Sequence, residues 1–511
     1  MQHGCRTTGM NNLLDYLEMT KNKYSSRTAV DDGQIRLNWQ QLVRLSRRIG
    51  TALSKRTAPG QPVAVLMEKS AVTLAVMLGT VYAGCFYVMV DPRQPKARIR
   101  EILRVLEPAV TAADREGERL LNDSGYTGKI CLLKDLLLER EDFIRLAAIR
   151  RGRAQTDLLY GMFTSGSTGE PKCIVVSHEA VIQFISHFTE LFKITAEDRL
   201  GNQAPFDFDV SVKDLYSGIM TGAAVILIPG KLFSTPPLLL DYLWEKKVTV
   251  LIWAVSALCL VSSMRGLEYL APESVRKVLF SGEVMPLEQL KRWQKALPGA
   301  EFVNLYGPTE VTCNCTYYSV EELPEGADRI PIGRAFPGRM VFLTDEAGNV
   351  VTDAGICGEI CVAGESLSCG YYRRPLETEK RFCHGTLPDG RKKLFYRTGD
   401  LGFYGEDGQL FFSGRKDFQV KHMGHRIELE EIERSMNGLE GVARSCCLMD
   451  EKRYRITAFY AGEGEPGYVR GELKKRLPAW MVPGKIFQVD TIPLNKNGKM
   501  DRAYFRKKLE E

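Results

Sequence analysis

Short runs of β-forming residues alternate with segments of helical period through most of this chain, and this alternation restricts the fold more than any other feature. PVAVLM (62–67) and FYVMV (86–90) precede the helical pattern ARIREILRVL (97–106). The same rhythm returns in AAVILIP, VTVLIWA, VRKVLFS and GAEFVNL between residues 223 and 305. Strands that alternate with helices are typical of α/β folds with largely parallel sheets. We therefore predict two α/β layers here.

After about residue 330 the pattern changes to short strands separated by glycine-rich turns, such as VFLTDEAGNVV, GEICVAG and GQLFFSGR, which predicts a small antiparallel β part. A chain of 511 residues is too long for one core, because cores stop growing near ~250–300 residues. A charged helical pattern, IELEEIERSMNGL, begins at residue 427. We predict a large domain over residues 1–416 and a separate small α+β domain over 417–511, joined by a hinge within SGRKD (413–417).

Composition excludes several classes of function. The net charge of +6 is spread over the chain without a run of like charges, so nucleic acid is not an expected partner. The 13 cysteines are scattered and do not follow the spacing of a disulfide scaffold or a zinc site. The apolar stretch at 248–264 falls short of the ~18–20 residues that span a bilayer, which favours a buried strand running into a helix. We find no export signal at the N-terminus, and we expect a cytoplasmic protein without membrane insertion.

A loop rich in glycine and hydroxyl residues, FTSGSTGEPK (163–172), follows an apolar strand pattern. Its backbone N–H groups, hydroxyls and terminal lysine could bind phosphate oxygens, and glycine permits a close approach. The spacing is not that of a Walker motif. Taken alone, a flexible surface loop is an equally good interpretation.

Five further segments extend this pattern: FDFDVSVKDLY at 206, NLYGPTE at 304, YRTGDLG at 396, GRKDFQVKHMGHRIELEEIE at 414 and PLNKNGKMDR at 493. Together with the loop, and in this order, they resemble the motifs of the acyl-adenylate-forming superfamily. This superfamily includes acyl-CoA synthetases, luciferases and the adenylation domains of nonribosomal peptide synthesis. The resemblance covers nearly the whole chain, and six ordered motifs are far more specific than any one of them.

The resemblance implies that ATP and Mg²⁺ bind here and that Lys499, Thr168 and Glu310 are catalytic. Lys499 would contact the acyl carboxylate and the α-phosphate, and Glu310 would hold the metal ion. Taken singly, these residues could equally be a solvated lysine and a solvated turn. The implied nucleotide-binding residues are Thr164, Ser165, Gly166, Ser167, Thr168, Gly169, Lys172, Gly282, Glu283, Asn304, Tyr306, Gly307, Thr309, Asp400, Arg415 and Lys499.

Within this set, Tyr306 would stack on adenine, Asp400 would accept the ribose hydroxyls and Arg415 would contact the ribose or phosphate. The alternatives are a core tyrosine, a turn aspartate bonded to its own backbone and a surface salt bridge. For the second half reaction the resemblance implies that the small domain rotates about Asp417. Lys421 and Gly424 would then line a tunnel for the incoming thiol.

Asp209 indicates the substrate class, because a carboxylate in an apolar run needs a cation. By resemblance it binds the α-ammonium of an amino acid, whereas a helix N-cap or an internal salt bridge is the structural alternative. D-alanine is the leading single expectation, although Lys213 and Ser281 depart from the residues usual in D-alanine ligases. The implied substrate pocket comprises Asp209, Val210, Lys213, Ile252, Leu279, Ser281, Leu305, Cys313 and Asn314.

No phosphopantetheine attachment motif is visible after Lys499, so we expect the acyl acceptor to be the phosphopantetheine thiol of a separate carrier protein. Two other functions stay open at this point. The first is an acyl- or aryl-CoA synthetase, which Asp209 disfavours. The second is a nucleotide-binding protein without catalysis, which the intact motifs disfavour.

Overall fold

The computed structural model describes residues 10, 12–166, 170–321, 329–450, 453–493 and 500–510. Three large sheets precede residue 416, and two small sheets follow it. This is the α/β architecture predicted from the alternating pattern, with a large N-terminal part and a smaller C-terminal domain.

The largest sheet has nine strands. Its six central strands are mutually parallel, and the pairs at both edges are antiparallel. In spatial order the strands are Arg334–Ala335, Thr316–Val320, Glu301–Tyr306, Lys277–Ser281, Val250–Ala254, Arg199–Asn202, Ala224–Leu227, Thr28–Asp31 and Arg36–Asn38.

The second sheet has six strands, parallel except for the last pair. Its strands are Ile130–Leu132, Val110–Ala113, Pro62–Leu66, Phe86–Val90, Leu158–Thr164 and Lys172–Ser177. The third sheet is antiparallel, as predicted for the region after residue 330. It contains Val350–Val351, Arg339–Thr344, Gly358–Gly364, Lys392–Tyr404 and Phe382–Thr386, with Leu410–Arg415 beside Lys392–Tyr404.

Helices cover the two parallel sheets. Trp39–Ser54 begins with a capping box in which the Asn38 and Gln41 side chains each accept from the other residue's backbone N–H. It packs on the apolar helix Ala71–Tyr82. A Cβ added at Gly79 would lie 2.6 Å from Ile49, so the close packing of these two helices requires glycine there. The other helices before residue 416 are Leu13–Tyr24, Lys96–Leu106, Arg115–Asp123, Leu133–Leu136, Phe143–Arg151, His178–Leu191, Val210–Thr221, Pro236–Glu245, Val255–Ser263, Gly266–Tyr269, Leu287–Ala296 and Pro375–Arg381, with 3₁₀ turns at Gly230–Ser234 and Thr309–Val311.

The apolar stretch at 248–264 is a buried strand, Val250–Ala254, that continues into the helix Val255–Ser263. This confirms the prediction made from its length. In the described part of the chain, no helix has both the length and the apolar character needed to cross a membrane.

The small domain has its own core around Ile432, Met436 and Tyr460. A two-stranded hairpin, Gln419–His422 paired with His425–Glu428, projects toward the large domain. The remaining elements are the strands Arg444–Asp450, Arg455–Ala461 and Lys485–Gln488, the helices Leu429–Asn437, Pro466–Arg476 and Arg502–Glu510, and a 3₁₀ turn at Ala479–Met481.

Candidate active site at the domain junction

A cavity of about 100 Å³ lies where the hairpin of the small domain meets the large domain. Segments that follow three strands of the parallel sheets line it, namely Thr164–Ser165, Ser281–Gly282 and Gly307–Thr309. The carboxyl ends of parallel strands are the usual place for ligands in α/β proteins. Pockets that hold a small molecule measure ~300–1,000 Å³, so this one is too small for ATP together with an acid.

The cavity brings together about half of the predicted nucleotide-binding residues. Thr164, Ser165, Gly282, Gly307, Thr309, Asp400 and Arg415 line it. Gly166, Lys172, Glu283, Asn304 and Tyr306 are described but do not line it, and neither does the predicted metal ligand Glu310. Ser167, Thr168, Gly169 and the catalytic candidate Lys499 fall outside the described residues.

Tyr306, Asp400 and Arg415 form one hydrogen-bonded chain. The Tyr306 hydroxyl donates to the Asp400 carboxylate at 2.5 Å, and the Arg415 guanidinium pairs with the other carboxylate oxygen. Strand pairing places Asp400 directly opposite Arg415 in the antiparallel sheet. The Asp400 side chain is therefore held by two side-chain donors, in contrast to a turn aspartate that bonds only its own backbone.

Glu310 is fully buried and paired with an arginine of the small domain. Arg426 Nη1 lies 2.9 and 2.8 Å from its two carboxylate oxygens, and the Tyr371 hydroxyl donates to it at 2.8 Å. Burial alone would raise the pKa of Glu310, but the Arg426 charge and the Tyr371 hydroxyl outweigh burial and lower the pKa to about 2. Glu310 is thus an anion that the hairpin neutralises.

Mg²⁺ prefers oxygen ligands and often binds through one or two carboxylates together with substrate phosphates. Within the described residues, no cluster of three or more His, Cys, Asp or Glu side chains could hold a metal ion. Glu310 fits the role of a single protein carboxylate beside nucleotide phosphates. It can take that role only after Arg426 has moved away, because the guanidinium contacts both of its oxygens.

The hairpin also contacts the phosphate loop and Glu283. The Ser165 hydroxyl donates to the Arg426 carbonyl at 2.8 Å and accepts from the Glu428 N–H at 3.1 Å. The Gly424 N–H donates to Glu283 at 3.0 Å. We call this set of contacts the closed arrangement. Two side chains predicted to bind the nucleotide, Ser165 and Glu283, and the predicted metal ligand Glu310 bond the hairpin in it.

Gly424 lies at the tip of the hairpin with a positive φ of 82°. A Cβ at this position would lie 3.2 Å from the Phe208 ring, so glycine permits both the turn and the close approach. Gly424 and Lys421 line the cavity, and their role in a thiol tunnel stays a prediction. The predicted hinge residue, Asp417, lies outside the cavity and is paired with Arg415 and Arg381 of the large domain.

The predicted substrate pocket is divided by the structure into two groups. Asp209, Val210, Lys213, Ser281, Cys313 and Asn314 line the cavity. Ile252, Leu279 and Leu305 are buried in the hydrophobic core instead and do not line it. They lie on the central strands of the nine-stranded sheet, so they can influence the cavity only through the side chains packed on them.

Asp209 precedes the helix Val210–Thr221, but its side chain makes no N-cap hydrogen bond. It accepts from the Thr309 hydroxyl at 2.7 Å and forms no ion pair with any residue that the structure describes. Burial raises the pKa of this carboxyl. Neither structural alternative, the helix cap or the internal salt bridge, accounts for Asp209.

Several residues of the site were not singled out in the sequence. Arg426 pairs with Glu310, and His425 stacks between Phe208 and Trp480, with ring centroids 5.4 and 4.0 Å apart. Arg98 lines the cavity and pairs with Glu431 across the domain junction at 2.8 Å. The sequence offered one signal for Arg426, which is its position in a short β-forming segment close to the predicted hinge. Arg98 lies in a helix pattern with many charged residues and carried no such signal.

Residues 17–372 match the family of AMP-binding enzymes. The chain belongs to this family. This match confirms the family predicted from the six motifs. AMP-binding enzymes use ATP.

Two curated relatives of similar length are carrier-protein ligases. The chain is 34% identical over 477 residues to L-proline--[L-prolyl-carrier protein] ligase of Streptomyces coelicolor, covering 88% of this chain and 87% of the relative. It is 29% identical over 506 residues to D-alanine--D-alanyl carrier protein ligase of Staphylococcus aureus, covering 96% and 98%. Several other curated relatives are longer, and the chain spans 43% or less of their length.

Solved structures confirm the fold. The Vibrio cholerae adenylation domain AlmE, solved in complex with glycyl-adenosine-5'-phosphate, has a TM-score of 0.85 at 23% identity, with 100% of both chains covered. At this identity the likeness shows the fold alone. This AMP-binding enzyme is therefore related in sequence to carrier-protein ligases and shares the fold of an adenylation domain.

Proposed function

We propose that this AMP-binding enzyme activates an amino acid as aminoacyl-AMP, releases pyrophosphate, and then transfers the aminoacyl group to the phosphopantetheine thiol of a separate carrier protein. The observation that carries the proposal is Asp209. This buried carboxylate lines the cavity, has a hydroxyl donor in Thr309 and forms no ion pair in the described part of the chain. The α-ammonium group of an amino acid is the cation that would pair with this carboxylate.

In this mechanism Asp209 orients the amino acid so that its carboxylate faces the α-phosphate of ATP. Asp400 and Arg415, held together with Tyr306, bind the nucleotide ribose. The amino-acid carboxylate is itself the nucleophile, so no protein base is required, and Lys499 would neutralise the charge that builds up between carboxylate and phosphate. Mg²⁺ held by Glu310 would neutralise the departing pyrophosphate.

In the second step the closed arrangement places Lys421 and Gly424 at the cavity wall, where a phosphopantetheine arm would enter. The two carrier-protein ligases among the relatives support a carrier as acceptor. D-alanine stays one prediction for the amino acid, and a cytoplasmic location stays a prediction from the sequence.

The test is pyrophosphate exchange dependent on each of the common L-amino acids, D-alanine, D-serine, D-aspartate, D-glutamate and several aryl and fatty acids. We expect exchange with at least one amino acid. Lys499→Ala should abolish it, and Asp209→Asn should weaken it by ~100-fold, because an uncompensated ammonium would be left in a buried site. Exchange with aryl or fatty acids alone would refute the amino-acid assignment. ATP binding without exchange for any acid would identify a non-catalytic nucleotide-binding protein.

The acceptor is tested separately. The product of the first step is offered free coenzyme A or a phosphopantetheinylated carrier protein, and thioester formation is measured for each. Faster transfer to the carrier supports the proposal. Transfer to coenzyme A alone would identify a CoA synthetase.

A further inference from the structure

The cavity contains a second buried charge close to Asp209. Lys213 is 1% exposed, lines the cavity and lies one helical turn after Asp209. Residues four apart on a helix lie on the same face. The cavity therefore presents a carboxylate and an ammonium side by side, both from the start of the helix Val210–Thr221.

The partners of Lys213 are neutral. Its Nζ donates to the Asn314 side-chain oxygen at 2.8 Å and to the Ser281 hydroxyl at 3.2 Å. An ammonium has three donors, and these two hydrogen bonds leave one for a ligand. No carboxylate of the described chain lies within ion-pair distance of Lys213. Burial lowers its pKa, and the more distant charges of Asp209 and Asp214 oppose this shift without outweighing it.

A partly buried lysine of the same domain, Lys69, shows how this fold satisfies such a group away from the cavity. Lys69 Nζ contacts the backbone carbonyls of residues 202, 203 and 204 and the Asn202 side chain, at 3.0–3.4 Å. It does not line the cavity. Lys213 has half as many acceptors, in a place where a ligand can supply more.

We propose that Lys213 binds a side-chain carboxylate, and that the amino acid activated by this enzyme is acidic, of the aspartate or glutamate type. The inference rests on the proposed function and deepens it. An acidic amino acid supplies an ammonium for Asp209 and a carboxylate for Lys213, so both buried charges gain a counter-ion. Alanine of either chirality would leave Lys213 without one, which is unfavourable for a buried charge.

The amide analogues provide the sharpest test, because asparagine and glutamine have nearly the same shape as the two acids but no charge. Pyrophosphate exchange with the wild-type enzyme is measured for L- and D-aspartate, L- and D-glutamate, asparagine, glutamine, alanine and leucine. We expect kcat/KM for one of the acids to exceed that of its amide by ~100-fold or more. This comparison requires no variant and so does not depend on whether a variant folds.

Lys213→Met keeps the length of the side chain and removes its charge. We expect it to lower kcat/KM for the acid by ~100-fold and to reduce the preference of acid over amide to within about threefold. Lys69→Met is the matched control, because it removes a partly buried, hydrogen-bonded lysine of the same domain outside the cavity. The control should keep the preference for the acid even if its thermal stability falls.

Different exchange results would refute this inference and the proposed function. Strong exchange with alanine, leucine or another uncharged amino acid, with the acids inactive, would overturn the role of Lys213 and leave amino-acid activation intact. No exchange with any amino acid, while aryl or fatty acids are active or every acid fails, would overturn both. An acid preference that persists in Lys213→Met would assign the selectivity to another residue and also refute the inference.

Discussion

Removing the Arg426 side-chain charge should lower the ratio of closed to open molecules at the domain junction by a predictable factor. Its ion pair with Glu310 joins the hairpin to the large domain, and the two side chains are 12% and 1% exposed. The surroundings of Glu310 lower its pKa from 4.5 to about 2. At about 1.36 kcal/mol per pH unit this difference corresponds to about 3 kcal/mol. Measured costs of breaking a buried pair by removing one partner are ~3–5 kcal/mol.

In Arg426→Met, Glu310 would be buried and unpaired in the closed arrangement but would regain water when the hairpin withdraws. A difference of about 3 kcal/mol lowers the ratio of closed to open molecules by ~150-fold. Two amides report this opening directly, because they donate across the junction. The Gly424 N–H bonds Glu283, and the Glu428 N–H bonds Ser165. Their hydrogen exchange should accelerate by ~100-fold in the variant, while the core strands keep their protection.

Arg502→Met is the control, because Arg502 pairs with Glu433 inside the small domain. Its loss should destabilise that domain without selectively exposing the two junction amides. If both amides exchange at the wild-type rate in folded Arg426→Met, the ion pair does not hold the junction closed and the argument from the pKa of Glu310 is wrong.

Two further predictions concern the junction and the nucleotide site. Burial raises the pKa of Glu431 to about 7 in the closed arrangement, with the Arg98 charge opposing that rise; closing therefore takes up a proton. Protection of the junction amides from hydrogen exchange should therefore fall as the pH rises from 5 to 7, by up to about tenfold per pH unit, and stay level above 7. Glu431→Gln should show no such dependence on pH. If the variant keeps it, Glu431 is not the group that takes up the proton. Tyr306→Phe removes the hydroxyl that donates to Asp400, so KM for ATP should rise by about tenfold in steady-state kinetics. An unchanged KM would mean that Asp400 binds ATP equally well without this hydrogen bond.

The fold was predictable from the sequence because strand and helix periods are local signals. Parallel strands, the antiparallel region after residue 330 and the small C-terminal domain all follow from short local patterns, the longest of them the 13 residues of IELEEIERSMNGL. The meeting of Ser281 with Thr309 also followed, since they stand at the carboxyl ends of two neighbouring parallel strands. Ser165 follows a strand of the other parallel sheet, so its approach to them depends on how the two sheets pack. The positions of Asp209 and Lys213 on one helix face follow from their spacing.

The closed arrangement was not predictable in the same way. Arg426 and Glu310 are 116 residues apart, and their contact depends on how two separately folded domains meet. No local pattern encodes this geometry, and the same holds for Arg98 and Glu431. Ile252, Leu279 and Leu305 were predicted as pocket residues but do not line the cavity, because motif alignment identifies positions along a strand and not the depth of each side chain in the packed core.

The hairpin has a consequence for nucleotide affinity. If Ser165 binds ATP and Glu310 holds its metal ion as proposed, the hairpin that bonds both residues would compete with ATP as a tethered ligand, at an effective concentration on the order of millimolar whatever the protein concentration. The apparent dissociation constant for ATP then equals the intrinsic constant divided by the fraction of molecules in which these two groups are free. We expect any ligand that draws the hairpin away to tighten ATP binding without touching the nucleotide.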